Sequence, residues 1–499
     1  MMKVHRKTSA APHARARLRR AIVVATAALL CTLRVSASAP PGQTPTMMIT
    51  PPERTMMRYG EVVATCGEFA VIGAPVDGDL GAGAGAADVV RLSVRADGSW
   101  DCSHVRGLRS LGEGDHFGCA AAMARDGGFS ARSAVIAVGA DRAWVRSGFE
   151  GAVFLFGETD ATPQARLTAL IPQPGAEFGG AIALDATATT MAIGARREDV
   201  EGMLDCGAVH TFARGAMPSA ASALRARGSG DWRCIQSIVP PSPALSLWFG
   251  SSVALSDRWL AVGAPGARIN GSPGAGCVHV YERDASGLFM LTRTLSAATP
   301  SSHAWFGSAL AIDGAKLLVG EPRAMQSGVR SGAAWIFDLA AQERPPVRLV
   351  PQFGSNATGA SIGFGASVAM DARMIVIGAP GIDDGDGTED RGGGFLFLRD
   401  DPCETPSRVL QSHARIPMLL CGSAAGVVRS EAAGGGHDVR AALLGHLFVE
   451  EESVGPSPGV GLYAIDDITP SAQSIRVAQD RRDTTSRGSA SSPEPARTR

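Results

Sequence analysis

The chain has 499 residues, enough for several ordinary domains or one large repeat array. Its 47 Lys and Arg against 48 Asp and Glu leave a net charge of −1, so no whole-protein field recommends nucleic acid or an anionic membrane as partner. With 61 glycines, 5% aromatic and 45% apolar residues, it suits many short strands joined by glycine-bearing turns, and disorder is excluded for its middle.

Arg15, Arg17, Arg19 and Arg20 precede an apolar run from Ala21 to Leu33, with Ala37-Ser38-Ala39 ahead of Pro40. Basic, apolar, then small is the order of a secretory signal peptide, so residues 1–39 are expected to be one, cleaved after Ala39. An uncleaved anchor is the alternative, but the run falls short of the roughly 20 residues that span a bilayer. No later stretch is long and apolar enough to cross one, so the mature chain is expected to be secreted, with no membrane span. Residues 40–57 read as a linker. Without Cys31, eight cysteines remain: Cys66, Cys102, Cys119, Cys206, Cys234, Cys277, Cys403 and Cys421. An even count in an oxidising compartment permits disulfides. Cys206 with Cys234, and Cys403 with Cys421, are the expected pairs, because each would close a loop at the edge of one repeat. Cys277 begins an alternating strand and is expected to be buried. No CxxC or Cys/His cluster shows metal-ligand spacing, so no structural zinc site is expected.

From Tyr59 onward one pattern returns. An aromatic-glycine step stands at Tyr59-Gly60, Phe117-Gly118, Phe178-Gly179, Phe249-Gly250, Phe306-Gly307 and Phe364-Gly365, spaced by 58, 61, 71, 57 and 58 residues. The longest interval holds a Ser/Ala/Arg-rich insertion around Ala213 to Gly230, read as a surface loop. A second motif follows each step, at Gly73-Ala74-Pro75, Gly139-Ala140-Asp141, Gly194-Ala195-Arg196, Gly263-Ala264-Pro265, Gly320-Glu321-Pro322 and Gly378-Ala379-Pro380. Period-2 alternation on both sides of a turn, as around Ser256-Asp257, predicts a hairpin between the two motifs. A third strand begins at glycine, as in GAVFLF from Gly151, GAVHTF from Gly207 and GCVHVY from Gly276, and a less regular fourth follows, as at Phe289 to Leu295. Four short antiparallel strands per unit of about sixty residues is a β-propeller blade, which must stack on neighbours to bury its faces. After Pro406 a degenerate seventh copy is expected, with Cys421-Gly422 as its first step, Leu443-Leu444-Gly445 ending its second strand and Val460 to Asp466 its third. Residues 58–470 thus form an all-β, seven-bladed propeller, and the apolar-poor tail, 471–499, is expected to be disordered.

Phe-Gly followed by Gly-Ala-Pro, repeated in register from Arg58 to Ile468, resembles the FG-GAP repeat of integrin α-subunit propellers and of many secreted or surface proteins. The resemblance implies a seven-bladed propeller and an extracellular binding or cell-adhesion role, without naming a ligand. The integrin-type DxDxDG calcium hairpin is missing, since only Asp257, Asp313 or Asp371 stands at the corresponding turns and one carboxylate cannot make that site.

Elsewhere, Asp384, Asp386 and Asp390 flank glycines in the acidic loop of the sixth copy and are the candidate calcium ligands. The competing reading is a solvated loop tip, as at Asp77 and Asp79 in the first copy. Gly359-Ala360-Ser361-Ile362-Gly363 matches a nucleophile elbow but runs into a strand rather than a helix, which makes the match a coincidence. Gly81 to Gly85 lacks the helix and lysine of a phosphate loop. His210 and His279 hold equivalent third-strand positions, which argues for a structural role. Asn270 and Asn356 head N-x-[ST] sequons and are the expected glycosylation sites of a glycoprotein. Trp248 and Trp305, each before a Phe-Gly step, read as ligand surface or as inter-blade packing. The expected function is a secreted or cell-surface, non-catalytic module, monomeric, that binds a protein or glycan through loops at one face. The alternative is an extracellular hydrolase or the non-catalytic propeller of one.

Overall fold

The computed structural model describes residues 45–51, 58–78, 81–109, 112–125, 134–157, 159–215, 231–341, 343–351, 362–381, 392–399, 408–411, 419–431, 438–448 and 459–465. Their strands form seven four-stranded antiparallel sheets and no helix. Blade 1 comprises Val62–Cys66, Phe69–Ala74, Ala86–Val94 and Trp100–Arg109. Blade 2 is Phe117–Arg125, Ala134–Ala140, Ala152–Phe156 and Ala165–Leu167. Blade 3 is Phe178–Leu184, Thr190–Ala195, Ala208–Arg214 and Trp232–Ile238. Blade 4 is Ser252–Leu255, Trp259–Ala264, Cys277–Arg283 and Phe289–Leu295. Blade 5 is Leu310–Asp313, Lys316–Glu321, Ala333–Asp338 and Val347–Leu349, and blade 6 is Ser367–Met370, Met374–Ala379, Gly393–Leu398 and Arg408–Gln411. The first strands of successive blades are neighbours, and that of the last returns to that of the first, which makes the chain a seven-bladed propeller.

Blade 7 departs from the linear reading in one respect. Its first three strands are Leu419–Glu431, Asp438–Phe448 and Gly459–Ile465, as the degenerate seventh copy requires. Its fourth is Met47–Ile49, which lies in the segment read as a linker and pairs antiparallel with the third, Met47 opposite Leu462 and Ile49 opposite Val460. The two ends of the array are thereby sewn into one sheet.

Burial within a blade follows from this stacking. Every residue of Thr190–Ala195, Trp259–Ala264 and Met374–Ala379 is buried, because a second strand is covered on both faces by adjacent blades. The outer strand Phe289–Leu295 buries Phe289 and exposes Met290 and Leu291. Between blades the layer is aromatic. Phe117, Phe178, Phe249, Phe306 and Phe364 are fully buried. Each meets ring side chains of its own third strand edge-on or tilted: Phe117 meets Phe154 and Phe156, Phe178 meets His210 and Phe212, and Phe306 meets Trp335 and Phe337. His210 and His279 occupy the ring position that Phe154 and Trp335 fill elsewhere, which accounts for their equivalence.

The glycines of the two motifs are each other's contacts. The backbone of Gly194, at the end of a second strand, lies directly against the carbonyl of Gly250 in the next Phe-Gly step, and Gly73, Gly139, Gly263 and Gly320 repeat this against Gly118, Gly179, Gly307 and Gly365. Each step is then pinned to the preceding blade by the aromatic residue's own amide, as in Phe178 N to Glu150 O at 3.1 Å and Phe249 N to Cys206 O at 2.9 Å. A side chain at either glycine would occupy the space of the neighbouring backbone, so the motif is a joint between blades.

The expected Cys206–Cys234 disulfide does not form; both thiols are free and buried. Cys234 stands opposite Phe212, while Cys206 lies beyond the far end of that strand. Six residues of strand separate their levels by about 20 Å, against the roughly 4.4–6.8 Å between Cα atoms that a disulfide spans. Cys102, Cys119 and Cys277 are free as well, Cys277 buried as expected. Cys403, and with it the Cys403–Cys421 pair, lies outside the described residues, as do the leader and the tail.

Candidate functional site

Each Phe-Gly step is the middle of one tight turn. The residue before the aromatic has φ in the left-handed region, at 59° for Arg58, 59° for His116, 57° for Glu177, 54° for Trp248, 59° for Trp305 and 70° for Gly363. For a side chain other than glycine this costs on the order of 1–2 kcal/mol, and the turn's own bonds hold it in place. In every copy the carbonyl of that residue accepts from the amide of the residue after the glycine, as in Cys119 N to His116 O at 3.3 Å and Ser251 N to Trp248 O at 3.1 Å. The fold therefore brings three positions together at one face of every blade: the residue before the aromatic, the residue after the Phe-Gly glycine, and the residue after Gly-Ala or Gly-Glu.

These positions are where the copies differ. Blades 3, 4 and 5 carry Glu177 and Arg196, then Trp248, Ser251 and Pro265, then Trp305, Ser308 and Pro322. All but Pro322, together with Arg197 and Asp205, line one cavity of about 490 Å³. Its polar side is an ion-pair chain: Arg196 Nε meets Glu177 Oε2 at 2.5 Å, Arg197 Nη1 meets Glu177 Oε1 at 3.4 Å, and Arg197 Nε meets Asp205 Oδ1 at 2.9 Å. The hydrogen bond and charge of Asp205, then those of Glu177, raise the Arg197 pKa further. Its apolar side is two half-buried indoles; the Arg323 guanidinium stands 3.8 Å from the Trp305 ring centroid. Trp248 and Trp305 thus line a ligand-sized space as well as flanking the blades.

Blade 2 fills the same positions with His116, Cys119 and Asp141. One ligating atom of each lies within 4.8 Å of the others. His116 Nδ1 is 2.8 Å from Asp141 Oδ1, and the Asp141 amide donates to Cys119 Sγ at 3.4 Å, a bond proline at this position could not make. Burial, then the Asp141 charge, drives the Cys119 thiol pKa well up. Blade 1 places Glu61 beside this group. Burial raises the Glu61 pKa against the opposing charges of Arg58 and His116.

Of the other sequence candidates, Asn270 is exposed at the tip of a two-residue turn closed by reciprocal bonds between Ile269 and Ser272. Asp384, Asp386, Asp390, Asn356 and Ser361 lie outside the described residues. His210 and His279 are buried but held differently. His210 bonds Glu198 and Ser237 at 2.8 and 2.9 Å; burial opposes its charge, yet the bonds to Cys234 and Glu198 and the Glu198 charge push its pKa up to about 9. His279 instead meets Cys277 Sγ and Thr294 Oγ1, neither of them a carboxylate, and burial takes its pKa down to about 4. The His116, Cys119 and Asp141 group escaped sequence reasoning because Asp141 enters from the second strand, although Asp in place of the motif's proline was its visible trace.

A propeller whose blades interlock through Phe-Gly and Gly-Ala-Pro and display variable residues at those joints is of the FG-GAP type. Residues 232–281 and 289–337 match the family model described as FG-GAP repeat. Each match runs from the outer strand of one blade through the third strand of the next, so the sequence repeat is offset from the sheet by one strand. Among solved structures, the chain is similar to one titled Kuenenia stuttgartiensis Hydrazine Synthase, at 12% identity and a TM-score of 0.45, over 79% of this chain and 94% of that one. No curated protein matches the sequence.

Proposed function

We propose that this FG-GAP propeller is a secreted, non-catalytic binding module that receives an extracellular protein or glycan at the face carrying its Phe-Gly turns. The observation that supports the reading is the cavity spanning blades 3 to 5, whose lining combines Trp248 and Trp305 with the chain formed by Glu177, Arg196, Arg197 and Asp205. Flat apolar rings in one lining with fixed charged donors and acceptors suit one sugar ring or one amino-acid side chain, held by stacking on indole and by hydrogen bonds at its edge. Passage through a secretory route and glycosylation at Asn270 belong to the same proposal, and the turn at Ile269 to Ser272 offers that asparagine to solvent. Purified chain is applied to glycan and extracellular-protein arrays with and without calcium, alongside Trp305→Ala and Arg197→Ala. The expected result is a ligand whose affinity drops at least tenfold in both variants, the roughly 1.4 kcal/mol of one lost anchoring contact. Absence of any ligand, or turnover of hydrolase substrates by the intact chain, refutes it.

A further inference from the structure

Outside that cavity, the feature with the most unspent chemistry is the blade 2 version of the same three positions. It holds one imidazole, one thiol and one carboxylate, drawn from a turn and a strand end that the backbone fixes. The His116 carbonyl and Cys119 amide are bonded to one another, and Phe117 N donates to Ala84 O of blade 1 at 3.0 Å. Cys119 Sγ is positioned twice, accepting from the Asp141 amide and donating to Gly179 O at 3.7 Å. Little chain rearrangement separates this arrangement from coordination, since the ligating atoms already lie within 4.8 Å of one another.

We infer that His116, Cys119 and Asp141 form a three-residue site for a divalent transition-metal ion of the zinc class at the Phe-Gly turn of blade 2. Nitrogen, sulfur and oxygen from neutral imidazole, thiolate and carboxylate are the donors zinc takes, at about 2.0–2.3 Å, and three protein ligands leave a fourth position open. Thiolate and imidazole together disfavour calcium and magnesium, which take oxygen. A second observation points the same way. Glu61, which follows the Phe-Gly-type glycine of blade 1 as Cys119 does in blade 2, has an Oε2 shielded from solvent with no hydrogen-bond partner among the described residues. A dication among these groups offsets the clustered negative charge and gives the thiol a reason to ionise despite burial, with one proton released from sulfur as the metal–sulfur bond forms. The group lies on the same side of the blades as the cavity of blades 3 to 5, because both are built from equivalent positions of their blades.

The test uses the full chain, stripped with chelator and titrated with zinc alone, then with cobalt as a spectroscopic substitute. The expected result is one equivalent bound, a thiolate-to-cobalt charge-transfer band in the near ultraviolet, and a higher melting midpoint with zinc. Cys119→Ser should abolish the band, and both it and His116→Gln should weaken zinc by about 100-fold or more, beyond what outer-sphere changes cost. Melting of each variant without metal separates loss of the site from loss of the fold, and Asp141→Asn replaces either variant if it does not fold. No thiolate band in the intact chain, or a band that persists in Cys119→Ser, overturns the inference.

Discussion

The interlocking glycines make a sharp prediction at Gly194. Its φ is not in the left-handed region, so alanine there is conformationally acceptable and, by narrowing the unfolded ensemble, would by itself stabilise by about 0.4–1 kcal/mol. The new Cβ, however, would lie 3.0 Å from the Gly250 carbonyl carbon and closer still to its oxygen, with Ala181 Cβ at 3.3 Å on the other side. The obstacle is backbone on a neighbouring blade, which cannot rotate away, so blades 3 and 4 must part. Overpacking of this kind costs about 1–3 kcal/mol, and a rigid obstacle places Gly194→Ala at about 3 kcal/mol or above. Gly202→Ala is the control. Its φ is 82° and a Cβ there meets nothing within 4 Å, so only the left-handed backbone is penalised, by about 1–2 kcal/mol. Chemical denaturation of the two variants and the parent, followed by tryptophan fluorescence, gives the comparison. Equal stability of Gly194→Ala and the parent, or a smaller loss than in Gly202→Ala, would refute the view that the motif exists to let blade backbones touch.

The paired histidines predict opposite pH responses. His279 falls from its ordinary 6.5 to about 4, so the unfolded chain binds the extra proton first and stability is lost as pH drops through that window, by about 3 kcal/mol at most. His279→Phe, which restores the ring found at Phe154, should flatten the acid limb of a melting-versus-pH curve; an unchanged limb counts against it. His210, raised to about 9, contributes stability that is complete below 6.5 and lost as pH rises toward 9, so His210→Phe should remove an alkaline slope and leave the acid limb alone. A chain lacking residues 1–50 should melt lower and self-associate through the exposed edge of Gly459–Ile465, as light scattering would show, whereas an unchanged midpoint and unchanged scattering would mean that Met47–Ile49 is dispensable.

Register was the legible part of this sequence. Six aromatic-glycine steps located six inner strands, and even the worn seventh copy, with Leu443-Leu444-Gly445 at the end of its second strand, could be placed from the period. Met47–Ile49 could not: three residues carry no periodicity, and they belong to the final blade only because a ring needs closing. The disulfide expectation failed for a related reason, because proximity along the chain between Cys206 and Cys234 hides the length of the intervening strands. Trp248 and Trp305 were visible as candidates, but Glu177, Arg196 and Arg197 became part of a site only once the joints were seen to lie on one face. Asp141 shows the same limit, its partners being 22 and 25 residues earlier in the chain.

The seventh blade orders events in time. Its outer strand is made among the first residues and its inner strands among the last, and the Ala464 amide bonds Thr46 Oγ1 at 3.1 Å across a separation of 418 residues. Loop entropy grows only by about 0.6 kcal/mol per doubling of length, so the equilibrium cost of so long a closure is modest. The burden is kinetic, since an early strand must stay unpaired while the other blades form. Once the latch is shut the logic reverses. Neither terminus can peel a whole blade away alone, because the last sheet is held by both, and loss of either end must break a pairing made by the other. A chain arranged this way is slow to finish and slow to come undone.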